Sequence, residues 1–143
     1  MEGQDVKALV KRWFEAAWNE DDAAVLEETT APDFELHAAG PGPSPGLEGL
    51  KMLTGMWRSA FPEGRMEMED MIAEDDKVVV RWTAAGEHRG PLFGSPPTGA
   101  SVRWTGITIY RVADGRVCEG WGEQDSAGLM QQLVTATQPS SAS

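Results

Sequence analysis

The feature that most constrains the fold is a pair of alternating segments joined by a tight turn. Side chains in residues 101–112 alternate with a period of two, as in a β-strand. A second segment of this kind, residues 116–124, follows Asp114-Gly115. An Asp-Gly pair between two such runs is a strong signal of a β-hairpin. The segment therefore predicts two long antiparallel strands whose alternate residues face opposite sides of a sheet.

The hydrophobic period is helical in the first part of the chain and changes to that of strands after residue 65. An apolar stripe predicts a first amphipathic helix, and the residues that form it are Val6, Leu9, Val10, Trp13, Phe14 and Ala17. Further helices are predicted at 22–28, 47–61 and 126–133, strands at 32–38, 66–74 and 77–88, and loops rich in Pro and Gly at 40–46 and 89–100.

Helices followed by long antiparallel strands predict an α+β fold. We expect a strongly curved antiparallel sheet that forms a cone-shaped barrel, with the N-terminal helices packed over a central cavity. The chain of 143 residues fits one domain, which we place at residues 1–136, followed by a disordered tail at 137–143.

Composition excludes several classes of function. The net charge of −11 argues against a nucleic-acid partner, because binding to phosphates depends on clustered Lys and Arg. No apolar run approaches the roughly 20 residues of a membrane span, and no signal peptide is visible, so we expect a cytoplasmic protein. His37 and His88 are far apart and Cys118 is alone, so no metal site is predicted.

The six tryptophans indicate an aromatic interior or pocket. If the cavity takes the even-numbered face of the hairpin, Gly120 and Gly122 face inward, and the carboxylates of Glu119 and Glu123 face outward. The remaining predicted lining is aromatic or apolar and consists of Trp18, Leu53, Trp57, Trp82 and Trp104. Such a lining suits a large apolar ligand.

Two pairs of alternatives concern residues 118–125, and one prediction concerns the outer face of the hairpin. A β-bulge at a glycine would reverse the facing and turn Asp125 inward, whereas the plainer interpretation makes Asp125 the N-cap of the last helix. The two glycines either leave room for a ligand or mark a bend in the sheet. Trp121 with Ile107 and Ile109 forms an apolar outer patch, which predicts a homo-oligomer, most simply a homodimer.

Several strings resemble the SnoaL-like polyketide cyclase family of the nuclear-transport-factor-type α+β cone superfamily. They are FEAAWNEDDAAVLEETTAPDFELH, GLEGLKMLTGMWRSAFPEG, GEHRGPLFGSPPTG, the run WTGITIYRVADGRV, and DSAGLMQQL. The resemblance implies a cyclase that works without a cofactor on a polyketide-type small molecule. It also implies that Gly122 stands where the family has its acid–base aspartate, and that Gly120 and Thr108 stand at accompanying histidines. His88 and His37 match family positions.

Without the family's acid–base pair, we expect ring closure mainly by positioning of the substrate, for which a pericyclic [4+2] closure is suitable. His88, Thr108 and Tyr110 are the predicted catalytic residues, as hydrogen-bond donors to a carbonyl. The predicted substrate-binding residues are Trp18, His37, Leu53, Trp57, Trp82, Trp104, Gly120 and Gly122. The alternatives are a binding protein without catalytic activity, or a hydrolase or hydroxylase-type relative that uses Asp125 with water.

Overall fold

Most of the helical residues lie before residue 65 and most of the strand residues after it, as the change of period predicts. The computed structural model describes residues 3–38, 46–92 and 94–137. The helices are α1 (Gly3–Phe14), α2 (Ala23–Thr29), α3 (Gly46–Ala60) and α4 (Ser126–Thr137), and the strands are β1 (Thr30–His37), β2 (Arg65–Glu74), β3 (Lys77–Glu87), β4 (Ser101–Ala113) and β5 (Arg116–Gln124). Between α1 and α2 the chain forms a π-helical segment, Glu15–Glu20, which the apolar stripe does not predict.

The five strands form one sheet in the order β1-β5-β4-β3-β2. β2, β3, β4 and β5 are antiparallel neighbours, whereas β1 pairs with β5 in parallel. The predicted α+β fold is confirmed, with two corrections. The sheet is mixed rather than purely antiparallel, and it curls without closing, because β1 and β2 are its two edges.

The interior lies between the helices and one face of the sheet. In β4 the even-numbered residues from Val102 to Val112 are buried, whereas most of the odd-numbered ones are exposed. Trp13 of α1 reaches this face, where its Nε1 donates to Thr30 Oγ1 at 2.9 Å and its ring lies 4.9 Å from that of Tyr110. The helices therefore cover the even-numbered face of the hairpin.

Two predictions fall largely on parts of the chain outside the described residues. They are the loop at 40–46, of which only Gly46 is described, and the tail at 137–143, of which only Thr137 is described. Within the described ranges, no helix combines the length and the apolar character that a membrane span needs.

Candidate functional site

The inner face of β5 carries two glycines and no carboxylate. Gly120 is buried opposite Tyr110, and Gly122 is half-buried opposite Thr108. The one irregularity between β4 and β5 falls after Arg111, at the turn end of the hairpin, so no bulge reverses the facing of the glycines. The acids of this stretch lie on the outer side, where Glu123 is exposed.

The space beside the glycines differs from one to the next. A Cβ at Gly120 would lie 2.9 Å from Leu36 Cδ1 and 3.1 Å from Tyr110 Cδ1, so side chains already fill this position. A Cβ at Gly122 would meet only Thr108, at 3.3 Å from Oγ1 and 3.8 Å from Cγ2. Gly122 is therefore less crowded than Gly120, where the expected room is occupied.

A third glycine on the inner face, Gly106, is covered by an indole ring. A Cβ at Gly106 would lie 2.2 Å from Trp82 Cζ2. The same ring is fixed by a hydrogen bond, since Trp82 Nε1 donates to Thr108 Oγ1 at 3.0 Å. The absence of a side chain at residue 106 therefore allows Trp82 to lie flat against β4.

A group of neutral polar side chains lies between the helices and β4. Burial raises the pKa of the Tyr110 hydroxyl, and this effect exceeds the opposing influence of the nearby Trp18 and Thr108 side chains. The Trp18 Nε1 is buried and has no hydrogen-bond partner among the described residues. This group consists of hydrogen-bond donors and acceptors that stay uncharged at neutral pH.

The π-helical segment places Trp18 in the interior. A π-helix shifts backbone carbonyls away from their usual helical partners, and such segments are common at functional sites. Here the released carbonyls bind α3, since Trp57 Nε1 donates to the Trp18 carbonyl at 2.8 Å and Arg58 Nη2 donates to the Ala17 carbonyl at 2.7 Å. The segment ends at Asp21, a non-glycine residue with φ of 53°.

His88 lies just after β3 and is fully buried. The backbone N–H of Thr98 donates to His88 Nδ1 at 3.2 Å, so Nδ1 is unprotonated and Nε2 carries the ring proton. That Nε2 has no hydrogen-bond partner in the described part of the chain. The contact with Thr98 fixes the connection between β3 and β4.

The structure does not bring His88 together with the other predicted catalytic residues. Thr108 pairs with Val80 in the middle of β3, whereas His88 follows the end of that strand, eight residues later. Thr108 and Tyr110 do lie together, as neighbours on the inner face of β4. Sequence alternation finds this pair but cannot place His88, which lies beyond the end of its strand.

An aromatic cluster occupies the interior on the His88 side. The Phe61 ring lies 5.8 Å from His88, 5.3 Å from Trp57 and 5.3 Å from Trp104, measured between ring centroids. Trp104 Nε1 donates to Gln124 Oε1 at 2.9 Å. Leu53 is partly buried against the same core. The predicted lining residues on α3 and β4 are therefore interior residues in contact with one another.

His37 lies on the outer side of the sheet, apart from the other predicted substrate-binding residues, which belong to the interior. Its Nε2 is 2.8 Å from Glu119 Oε2, and its ring stacks on Trp121 with centroids 5.7 Å apart. The inward neighbour on β1 is Leu36, which covers Gly120. Leu36 is not among the residues predicted from the sequence to line the site. Its apolar side chain, next to the polar His37, was the signal that could have indicated it.

Glu119 is the centre of an outer polar cluster. Hydrogen bonds from His37 and from Arg111 lower the pKa of its carboxyl group, in that order of size. Glu35, His37 and Glu119 bring potential ligand atoms within 4.8 Å of one another and would be the residues available to a metal ion. Arg111 already binds Glu119 Oε1 at 2.9 Å, so this carboxylate is shared between two nitrogen donors.

Asp125 and Cys118 have structural partners. The Asp125 carboxylate accepts the backbone N–H of Gly128 at 2.9 Å, the contact of an N-cap on α4, and the residue is exposed. Burial raises the pKa of the Cys118 thiol, which keeps it in the less nucleophilic protonated form. Neither residue contributes a reactive group to the interior.

Two hollows open at the ends of the strands. One of about 290 Å³ is lined by residues that include Glu63, Gly86 and Arg89. The other, of about 390 Å³, is lined by residues that include Asp76 and Gly115, beside the hairpin turn. The centre of the inner face is packed with side chains, so a bulky ligand there must displace Leu36 or Trp82.

Comparison with known proteins gives one family. The sequence profile of SnoaL-like polyketide cyclases matches residues 8–133. Among solved structures, AclR from Streptomyces galilaeus, for which a hydroxylase activity is proposed, aligns with a TM-score of 0.81 at 28% identity over 96% of this chain and 100% of that one. No curated protein gives a significant match.

Two further solved structures carry cyclase assignments that are themselves proposals. A SnoaL-like polyketide cyclase candidate from Jannaschia sp. CCS1 aligns with a TM-score of 0.85 at 27% identity, over 96% of this chain and 95% of that one. IdmH from Streptomyces antibioticus, a polyketide cyclase candidate, aligns with a TM-score of 0.79 at 29% identity, over 90% of this chain and 98% of that one.

Proposed function

Because the chain belongs to the SnoaL-like polyketide cyclase family, we propose that it is an enzyme that closes a ring in a large apolar polyketide-type intermediate. It works without a cofactor and mainly by holding the substrate in a reactive shape. A pericyclic [4+2] closure is the reaction type that best suits this interior, since it requires no proton transfer. AclR, proposed as a hydroxylase, and IdmH, proposed as a cyclase, have the same fold, which supports an enzymatic role for this chain.

The observation that carries the proposal is the absence of charge from the inner face. The buried polar side chains of the described residues include no carboxylate, and they are Thr29, Thr30, Thr54, Thr83, His88 and Thr108. Family cyclases place an acid–base aspartate at the position of Gly122, which bears no side chain here. An aldol step that depends on a carboxylate therefore has no residue to perform it on this face.

Positioning alone supplies a large part of the rate in intramolecular reactions. Holding two reacting ends together in the right geometry contributes up to roughly 7 to 11 kcal/mol. The Tyr110 hydroxyl and the Trp18 N–H supply polarisation, because both are buried donors that a substrate carbonyl could accept from. Thr108 holds Trp82, and its hydroxyl lies beside the open position at Gly122.

His88 has a different role in this proposal. Its Nδ1 is already used by Thr98, and its position along β3 separates it from Thr108. It fixes the segment that leads into β4, and its free Nε2–H is available to a polar group of a long substrate. His88→Ala should therefore impair ring closure less than a change at Gly122.

The test is a comparison of variants at Gly122. Linear polyene polyketide thioesters are screened for ring closure by mass spectrometry and ultraviolet absorption, with binding followed by tryptophan fluorescence. For a substrate that is consumed, Gly122→Leu should lower kcat/KM about 100-fold, because displacement of the reacting ends by about 1 Å has that effect. Gly122→Ala, whose methyl group requires Thr108 to shift by only a few tenths of an ångström, is the matched control and should stay much closer to wild type than Gly122→Leu.

Two outcomes would replace this proposal. Tight binding of polyenes without any conversion would make the protein a binding protein. Loss of activity in Asp125→Asn, with the fold intact by circular dichroism, would favour a hydrolase or hydroxylase-type reaction with a water. The exposed N-cap position of Asp125 disfavours the second outcome.

A further inference from the structure

Three side chains with metal-binding atoms converge on the outer side of β1 and β5. Glu35 and His37 are two residues apart on β1, so both point to the same side, and Glu119 of β5 is the register partner of Glu35. One carboxylate oxygen from each Glu and a ring nitrogen of His37 lie within 4.8 Å of one another. We call these three residues the outer trio. Only the pairing of β1 with β5 brings them together, because Glu119 is distant from the other two in sequence.

The two carboxylates of the outer trio are poorly balanced by positive charge. Glu35 and Glu119 are register partners on neighbouring strands, where like charges are unfavourable. Arg111 compensates Glu119 alone, through Oε1. Among the described residues the one ionic partner of Glu35 is His37, at 3.7 Å, and an imidazole is charged only when protonated. With His37 neutral, the cluster therefore keeps one negative charge that a bound cation would neutralise.

The ligand atoms are oriented before any ion binds. Arg111 Nε and Nη2 donate to Glu119 Oε1 at 3.1 and 2.9 Å, which leaves Oε2 facing His37 Nε2 at 2.8 Å. The His37 ring stacks on Trp121 with centroids 5.7 Å apart, and this contact limits its rotation. Partners that orient metal ligands in this way raise affinity, because less freedom is lost on binding.

We propose that the outer trio binds one divalent transition-metal ion of the Zn²⁺ type, through His37 Nε2, Glu119 Oε2 and the Glu35 carboxylate. Bonds of 2.0 to 2.2 Å in a tetrahedral site place ligand atoms roughly 3.3 to 3.6 Å apart. The separations of 2.8 and 3.7 Å from His37 Nε2 to Glu119 and Glu35 lie on either side of that range. Mg²⁺ and Ca²⁺ prefer sets made of oxygen alone, so the imidazole favours Zn²⁺. Water completes the coordination.

A metal ion here clips an edge strand to its only neighbour. β1 lies at the edge of the sheet, and its register with β5 shifts between Thr30 and Glu35. Leu36 stands between the two β1 ligands in sequence and points to the opposite side, where it covers Gly120. The ion on the outer face therefore holds in place a residue that fills the inner face. This role is independent of the reaction proposed above.

The first experiment is calorimetric titration of the full chain, without a histidine tag, with zinc chloride in a buffer free of chelators and phosphate. The wild-type protein should bind one Zn²⁺ per chain in the micromolar range, and magnesium chloride should give no binding. Glu35→Gln and His37→Gln should each weaken zinc binding about 100-fold or more, since even the loss of an outer partner of a ligand costs about 10- to 100-fold.

Two control variants separate the outer trio from other groups that could bind zinc. Glu123→Gln removes a carboxylate from the same side of β5 and should bind as the wild type does. Cys118→Ser removes the thiol and should also retain binding. The proposal is overturned if the wild type binds no zinc, if both ligand variants bind it unchanged, or if Cys118→Ser abolishes binding.

The second experiment locates the ion by hydrogen–deuterium exchange of the backbone amides of β1. At a zinc concentration about 100 times the Kd, exchange limited by separation of β1 from β5 should slow by up to about 100-fold, because the ion binds only the paired strands. Glu35→Gln should exchange at the same rate with and without zinc. Binding of zinc without any slowing in β1 would place the ion elsewhere and overturn the proposal.

Discussion

The two faces of the β4–β5 hairpin differ in charge, although the same two strands form both. The inner face carries Thr108, Tyr110, Gly120 and Gly122, all uncharged, and the outer face carries the acids and their cationic partners. Because side chains alternate along a strand, neighbours in sequence lie on different sides of the sheet. Glu119 and Glu123 share the outer side and Asp125 caps α4, so the three acids do not make an acid–base site on the inner face.

The faces also differ in how their polar groups are satisfied. On the outer face Glu119 is held by His37 and Arg111, which lower the pKa of its carboxyl group. On the inner face burial raises the pKa of the Tyr110 hydroxyl, and the Trp18 N–H lacks a partner. A group of the outer face is thus stabilised in its charged form, whereas the inner face keeps neutral donors available for a ligand.

The largest effect is expected where the inner face is most tightly packed. Gly106→Val should lower the free energy of unfolding by about 3 kcal/mol or more, because its side chain would collide with the Trp82 ring. Thr105→Ala, one residue away on the exposed outer side, should change it by about 0.5 kcal/mol or less. Urea denaturation of both variants measures the difference, and equal losses would contradict the assigned faces.

A smaller loss in the free energy of unfolding is expected for a change at His88, just after the end of β3. His88→Ala should cost about 2 kcal/mol, since it leaves the Thr98 backbone N–H without its acceptor. Thr98→Val keeps that N–H and removes only the hydroxyl contacts, so it should cost less. Urea denaturation and limited proteolysis between residues 89 and 100 provide the readouts. A larger loss in Thr98→Val would mean that the hydroxyl, rather than the ring, fixes this connection.

The next effect appears only at alkaline pH. Because the folded-state pKa of Tyr110 is raised above its ordinary value of 10.0, its contribution to stability is complete below that value. The contribution is lost as pH rises from there toward the folded-state pKa. Tyr110→Phe should therefore lose less stability than the wild type between neutral and alkaline pH. Parallel curves for the two proteins would show that the hydroxyl is not buried.

The smallest effect is expected on the outer face. There stability is lost as the pH falls, whereas for Tyr110 it is lost as the pH rises. The folded-state pKa of Glu119 lies below its ordinary value of 4.5, so its contribution is present above pH 4.5 and is lost as pH falls through the lowered value. Glu119→Gln should be less stable than wild type at neutral pH and equal to it in acid. Urea denaturation at acidic and neutral pH measures the difference, with Glu123→Gln as the control for the loss of one negative charge. A gap between Glu119→Gln and wild type that persists in acid would contradict the assigned role of Glu119.

The parts of the fold that depend on local pattern were predictable. The Asp-Gly turn and the alternation of residues 101–124 placed Thr108 and Gly122 on the inner face, and the helical stripe placed Trp13 in the core. The π-helical segment was not predictable, because the carbonyls it frees are bound by side chains of α3 that are distant in sequence.

The sequence-based expectations that differ from the structure concern contacts between elements distant in sequence. His37 was grouped with the interior, but the parallel pairing of β1 with β5 turns it outward and places Leu36 against Gly120. The room expected at Gly120 was therefore already filled. The alternation within an edge strand does not reveal which of its side chains will face the interior, because that depends on how the strand pairs with its neighbour.

The most direct test of the central claim is the pH dependence of kcat for ring closure, measured with a substrate from the polyene screen. We expect a constant kcat from about pH 5 to about pH 9, because the buried polar side chains of the described residues include no carboxylate. A profile that rises or falls within that range, and that becomes flat in Asp125→Asn, would contradict it and assign the chemistry to a proton transfer.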